Sequence, residues 1–372
     1  MEDFMQSKVF FTDMRTKLGE GLPWKLTRLV KAAGIETIDF KNKFVAIKIH
    51  FGEPGNLAFL RPNYATAVAA LVRKLGGKPF LTDANTLYAG GRKNALDHLD
   101  SAAHNGYTPQ TTGCQILIAD GLKGTDEAHI PVKNGEYVKH AKIGRAVMDA
   151  DIVISLNHFK GHEVAGFGGA LKNVGMGSGS RAGKMEMHSA GKPTVKTAKC
   201  IGCGACYRIC AVAAPEIKNG KAKINHGKCT GCGMCIGVCP VDAVTPAFDE
   251  AFDVMNKKVA EYASAVLEGR PHFHISLAID ISPYCDCHSE NDAPIVPNVG
   301  MFASFDPVAI DCACADAVNK MPVNPHSVLG EKERKHGDHF TDTTETTNWH
   351  SAVEHAEKLG LGSRQYELVT IK

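Results

Sequence analysis

Eight of the 13 cysteines fall in two copies of one run, Cys200-x2-Cys203-x2-Cys206-x3-Cys210 and Cys229-x2-Cys232-x2-Cys235-x3-Cys239-Pro240. This is the ligand pattern of a two-cluster bacterial ferredoxin: three thiolates two residues apart wrap one loop around three corners of a cubane, and the fourth turns to the neighbouring cluster. The spacing predicts two [4Fe-4S] clusters with crossed ligation. One set is Cys200, Cys203, Cys206 and Cys239; the other is Cys229, Cys232, Cys235 and Cys210. Gly202, Gly204, Gly231 and Gly233 fit this reading, since positive φ would turn backbone N–H groups toward the sulfides. Structural zinc is the competing use of such thiols, but zinc usually takes four ligands from two separated pairs. The first run ends in Cys210-Ala211 and reaches proline only at Pro215, so its closing turn is expected to differ from the second.

A chain of 372 residues exceeds the usual size of one small core, and the cysteine region is a fraction of it. A hydrophobic content of 44%, a charged content of 22% and a formal charge of +2 describe an ordinary globule without a field for nucleic acid or membrane. Met1-Glu2-Asp3-Phe4 lacks the basic start and apolar core of a secretion signal, and no apolar run approaches the length of a membrane span. A cytoplasmic protein of an anaerobic or microaerobic host is expected. Thirteen cysteines in so long a chain do not suggest a disulfide scaffold.

Before the cysteines, strand-like apolar runs alternate with helical stretches: Phe44 to Ile49, Arg61 to Leu75, Pro79 to Thr82, Asn94 to His104, Gln115 to Ala119, a helical Lys139 to Met148, and Ile152 to Leu156. After them come a helical Glu250 to Leu267 and strand-like runs at His274 to Ile281 and Ile295 to Val299. The pattern predicts an α/β fold, a mainly parallel sheet flanked by helices. Residues 193–245 then read as an inserted ferredoxin-like module between 1–192 and 246–372, two parts of one α/β domain. The polar stretch from Glu331 to Thr347 reads as an exposed loop.

Several motifs in fixed order extend this reading: KIHFGEPGN (48–56), TDANTLYAGGR (82–92), SLNHFKGHE (155–163), FGGALKNVGMG (167–177), PYCDCHSENDAPIVP (283–297) and ASFDPVAID (303–311). Together they resemble the bacterial and archaeal iron-sulfur-centre proteins, a domain of unknown function carrying a two-cluster ferredoxin insertion. The resemblance covers nearly the whole chain. It implies an α/β domain and electron transfer, and it names no substrate.

Two glycine-rich stretches fail as nucleotide motifs. Ser178 to Lys184 has serine where a P-loop needs its first glycine and Met185 where it needs Ser or Thr, and Gly166-x-Gly168 is followed by Leu171 where the dinucleotide fingerprint needs a small residue. A connecting loop is the simpler reading of both. The polar residues after strand-like runs are more informative, because ligands of open α/β sheets bind beyond the carboxyl ends of the strands. His50 and Glu53 follow the first run; Asp83, Asn85, Thr86, Tyr88 and Arg92 the next; Asn157, His158, Lys160, His162 and Glu163 the buried IVISL run, with Lys172 and Asn173 close behind. Lys160 and Lys172 are candidates to hold a small anionic substrate, and His158 and His162 to relay protons, alongside His50 and Asp83.

Cys285-Asp286-Cys287-His288 sets two thiols and an imidazole within four residues. Three uses stay open: a third, soft-metal site completed by Cys314 or a histidine from elsewhere, a redox dithiol, or packing. The leading functional expectation is an oxidoreductase that relays electrons through two clusters to a strand-end cleft, served by a redox partner protein. The alternative is a non-catalytic carrier or adaptor docking to a larger redox complex. The chain lacks the basic stripe of a nucleic-acid binder.

Overall fold

The structure, a computed structural model, describes residues 7–87, 90–188, 191–247 and 250–372. Tyr88 lies outside them. Eight strands build the central sheet: β1 (Ser7–Asp13), β2 (Phe44–Lys48), β3 (Lys78–Asp83), β4 (Gln115–Ile118), β5 (Ile152–His158), β6 (His272–Ala278), β7 (Gly300–Ser304) and β8 (Tyr366–Thr370). Their order is β8-β1-β7-β6-β5-β2-β3-β4. The run from β4 through β3, β2 and β5 to β6 is parallel throughout. β7 opposes both its neighbours, and β8 lies parallel to β1. Strands from both sides of the cysteine region thus share one largely parallel sheet, with Ser155 on β5 bonded to His274 on β6, 119 residues later.

Strand alternation sorts the side chains into two faces. Val45, Ile47, Ile154, Leu156, Phe273 and Ile275 enter one core, covered by the helices Leu22–Ala32 and Pro62–Lys74. The residues between them, Lys48, Ser155, Asn157, His274 and Ser276, point the other way and are as deeply buried. That polar row must be satisfied internally. Ser155 pairs with His274 at 2.7 Å, Asn157 donates to Ser276 at 3.1 Å, and Asn173 donates to Asn157 at 2.8 Å while accepting from Lys48 at 2.8 Å. Asn173 belongs to the helix Ala170–Ser178, which packs on the helix Phe252–Leu267 through Gly175, whose missing side chain admits the carbonyl of Val259.

The cysteine region leaves and rejoins the larger body through an antiparallel ribbon, Pro193–Val195 against Val244–Pro246. Between its ends lie a hairpin, Pro215–Lys218 with Lys221–Ile224, and two short helices, Ala205–Ile209 and Met234–Gly237, one in each cysteine run. Among the described residues no helix is long and apolar enough to cross a membrane.

Four expectations are corrected. The glycine-rich stretches are not connecting loops: Gly166–Gly168 is a short strand, and Ser178 to Lys184 runs from the end of the helix Ala170–Ser178 into the helix Arg181–His188. Ile295 to Val299 forms no strand, because Pro294 and Pro297 flank Ile295-Val296 and remove ladder donors; the strand begins at Gly300. Lys139 to Met148 divides into a strand, His140–Gly144, and a short helix, Arg145–Asp149, as the alternation of Ala141 and Ile143 favours. The stretch from 331 to 347 holds the helix His339–Thr343, capped by Asp338 and anchored by the buried Phe340.

Candidate functional site

The parallel strands end on one edge, and the chain order reverses there: β3 and β4 extend from one side of β2, β5 and β6 from the other. Such a switch point opens a crevice between diverging loops. It holds a cavity lined by Lys48, His50, Asp83, Arg92, His158, Lys160, Lys172, Lys184 and the Cys285–Cys287 segment, among others. Five of the six sequence-derived candidates, His50, Asp83, His158, Lys160 and Lys172, therefore meet at one wall. His162 lies just behind it, beside Cys285 and Cys287.

Charge at the site is dense and mostly paired. Lys48 Nζ is 2.9 Å from Asp83 Oδ1, and Arg92 Nε is 2.7 Å from Glu53 Oε2. Burial pushes the Asp83 carboxyl up, but Lys48, His98 and His50 outweigh it and hold the group well below the carboxylate range. Arg92 Nη1 donates to His50 Nε2 at 2.8 Å, and burial together with that guanidinium pushes the His50 imidazole down to about 3. Among the described residues, Asp83 Oδ2 and Arg92 Nη2 are buried without a hydrogen-bond partner. Lys184, on the helix Arg181–His188, is pushed down to about 8 by burial, which Asp120 and Asp83 oppose.

His158 is held from both sides. Its Nε2 faces the Ile279 carbonyl at 2.7 Å and its Nδ1 faces Asp286 at 2.8 Å, so both ring nitrogens are engaged by acceptors. Burial raises the Asp286 carboxyl, and His158 with Lys160 overcomes this and brings it to about 2. Lys160 carries the opposite balance: burial lowers it, while Cys285, Asp286, Cys287 and Glu163 prevail and raise it.

The four residues first grouped as a third metal site separate. Cys285 and Cys287 lie with His162, all ligand atoms within 4.8 Å, and Cys287 also lies with Glu163 and His288. His288 is half exposed and paired with Glu163 at 2.8 Å. Cys314 joins neither group. It sits in the core on the helix Pro307–Asn319, turned toward Ser276, so a histidine and not this cysteine stands third beside the pair.

The eight remaining ligand candidates form two sets. One pocket is lined by Cys200, Cys203, Cys206 and Cys239, and another by Cys210, Cys229, Cys232 and Cys235. Gly202, Gly204, Gly231 and Gly233 all have positive φ. Backbone N–H groups of Ala222, Ala214 and Ala243 donate to the sulfurs of Cys200, Cys210 and Cys239 at 3.2–3.3 Å. Such sets are compatible with metal or cluster binding. Leu87 and Met185 pack against these cysteines, while their chain neighbours Thr86 and Lys184 line the strand-end cavity.

Residues the sequence reading passed over are Lys48, Asp286 and Lys184. Lys48 ends an apolar strand, Asp286 separates two more conspicuous cysteines, and Lys184 closes the stretch set aside as a failed phosphate loop.

Residues 45–316 match the family model described as a domain of unknown function, DUF362. The thylakoid-associated protein sll1697 of Synechocystis sp. is 31% identical over 161 residues, 40% of this chain. That alignment spans 44% of the curated relative's length. Among solved structures, a Thermotoga maritima protein aligns over 90% of this chain and 58% of its own at a TM-score of 0.40 and 10% identity. The lactate racemase apoprotein of Thermoanaerobacterium thermosaccharolyticum aligns over 74% and 51% at 0.35 and 11%.

Proposed function

The chain belongs to the DUF362 family, and we propose that it is an iron-sulfur oxidoreductase whose two cysteine sets hold [4Fe-4S] clusters serving the strand-end cavity. The observation that carries this reading is the sorting of eight thiols: each pocket takes three from one run and the fourth from the other, the crossed arrangement of paired cubanes. Bound there, the clusters supply one-electron transfer. The chain's own residues do the rest. Positive-φ glycines shape the loops around each pocket, and N–H groups already directed at sulfur offset thiolate charge.

An order along the route is supported by exposure. Cys203 is exposed beside Ile201 and Tyr207, a surface suited to a redox partner protein. The second run instead rests on the larger body, with Gly233 and Gly237 against Arg181, and Leu87 and Met185 connect the cysteines to the cavity wall. In the cavity, Lys48, Arg92, Lys160, Lys172 and Lys184 outnumber Asp83, Asp286 and the Glu53 paired with Arg92, which favours a small anionic substrate. This wall is what a bare electron carrier would not require.

Iron and acid-labile sulfide analysis with EPR of the dithionite-reduced, anaerobically purified protein tests the reading. About eight irons per chain and the signals of two interacting reduced cubanes are expected. Zinc at these cysteines with no cluster spectrum would overturn it.

A further inference from the structure

Cys285 stands on the cavity wall, about 2% exposed, in a nest of donors. Lys172 Nζ lies 3.4 Å from its sulfur and the backbone N–H of Cys287 also 3.4 Å. The third donor is His162. Its Nδ1 accepts from the N–H groups of Val164 and Ala165, both at 3.0 Å, so the ring hydrogen of a neutral imidazole sits on Nε2, the nitrogen left to face Cys285. A metal-bound histidine shows the reverse, a free Nε2 lone pair with Nδ1–H donating outward. Donors around a sulfur hold a thiolate; they do not make room for a cation. Glu163 fixes the loop from behind, accepting from Cys285 N at 3.3 Å and pairing with His288. Cys287, whose sulfur lies within 4.8 Å of His162 and Cys285, is the second thiol, and both are free.

We propose that Cys285 and Cys287 are a redox-active dithiol that interconverts with an intramolecular disulfide, so that electrons arriving singly leave the cavity wall as a pair. This rests on the cluster reading above. In the reducing direction the S–S bond breaks and two electrons enter, one from each cluster. Cys285 departs as the thiolate held by Lys172 and His162, and Cys287 takes up one proton from cavity water. Lys172 and His162 act as positioning residues for the sulfur.

The test uses the full chain, purified anaerobically, with its EPR recorded first. After diamide treatment and denaturing alkylation, the peptide containing residues 285–287 should carry an internal disulfide and no alkyl group. After dithionite it should carry two. Reductive coulometry should consume about four electrons per oxidised chain, and about two for Cys287→Ser with the same cluster EPR. A value near two in both proteins with full cluster signals overturns the dithiol and leaves the clusters standing. A peptide that stays alkylatable after diamide, or one protected by a metal that chelation removes, also overturns it. Disulfide formation without cluster EPR overturns the cluster reading, and with it the electron-pairing role.

Discussion

Lys48 Nζ and Asp83 Oδ1 form a 2.9 Å ion pair in which neither side chain is more than about 3% exposed. The pair joins the ends of β2 and β3, and Asn173 draws the lysine toward the helix above. Replacing Lys48 with Met strands a buried carboxylate beside Arg92, at a cost of about 3–5 kcal/mol. Denaturant unfolding should show this loss at neutral pH and a smaller one in acid. The Asp83 carboxyl is depressed in the fold, so the stability it contributes is present above the ordinary carboxylate range and fades as the pH falls through its lowered value. An unchanged midpoint for Lys48→Met would remove the pair from the account of the site.

Crossed ligation makes a distinctive prediction at the last cysteine of each run. Cys239→Ser should weaken the cluster whose other three ligands lie in the first run, at Cys200, Cys203 and Cys206, and iron should fall from about eight toward about four per chain. The residual EPR should match that of a chain lacking Cys203, and differ from one lacking Cys232. If Cys239→Ser instead resembles Cys232→Ser, each run binds its own cluster and the assignment fails.

Anion binding in the cavity should weaken as the pH passes about 8, where Lys184 loses its proton. With sulfate as probe, whose charge does not change in this range, calorimetry should show affinity falling about 3- to 10-fold between pH 7 and 9, and Lys184→Arg should flatten that profile. Stability moves the other way. The folded state disfavours the Lys184 charge, so the cost is fully present below pH 8 and is relieved as the pH rises from about 8 toward the ordinary value of 10.5. A pH-independent sulfate affinity would exclude Lys184 from the binding set.

Gly175→Ala tests the packing that holds Lys172 and Asn173 in place. An added methyl meets the Val259 carbonyl of the neighbouring helix, and overpacking of this kind costs about 1–3 kcal/mol. Thermal unfolding should register it, and retention of the wild-type melting temperature would mean the two helices part without cost.

Strand-end polar residues were legible in the sequence because apolar runs such as IVISL announce where a buried strand stops. His50, Asp83, His158, Lys160 and Lys172 could be named for that reason, and the cysteine runs for their spacing. Lys48 and the row Ser155, Asn157, His274 and Ser276 could not be, since alternation assigns a face only once the strand neighbours are known. Ile295 to Val299 misled for a related reason: its apolar residues are buried in the core, but two prolines keep them out of the ladder. Cys314 faces away from the pair on its own helix, a matter of rotation that spacing to Cys285 does not record.

The ribbon from Pro193–Val195 to Val244–Pro246 has a consequence for how the chain finds its fold. β5 must pair with β6 across 119 residues, and on paper that is a slow, long-range search. Once the ribbon closes, about fifty of those residues drop out of the loop that remains to be closed, and the two strands approach as if joined by a much shorter tether. On the proposed cluster reading, iron acquisition would then do more than equip the protein for chemistry. By setting the cysteine segment early, it would shorten the path by which the central sheet assembles.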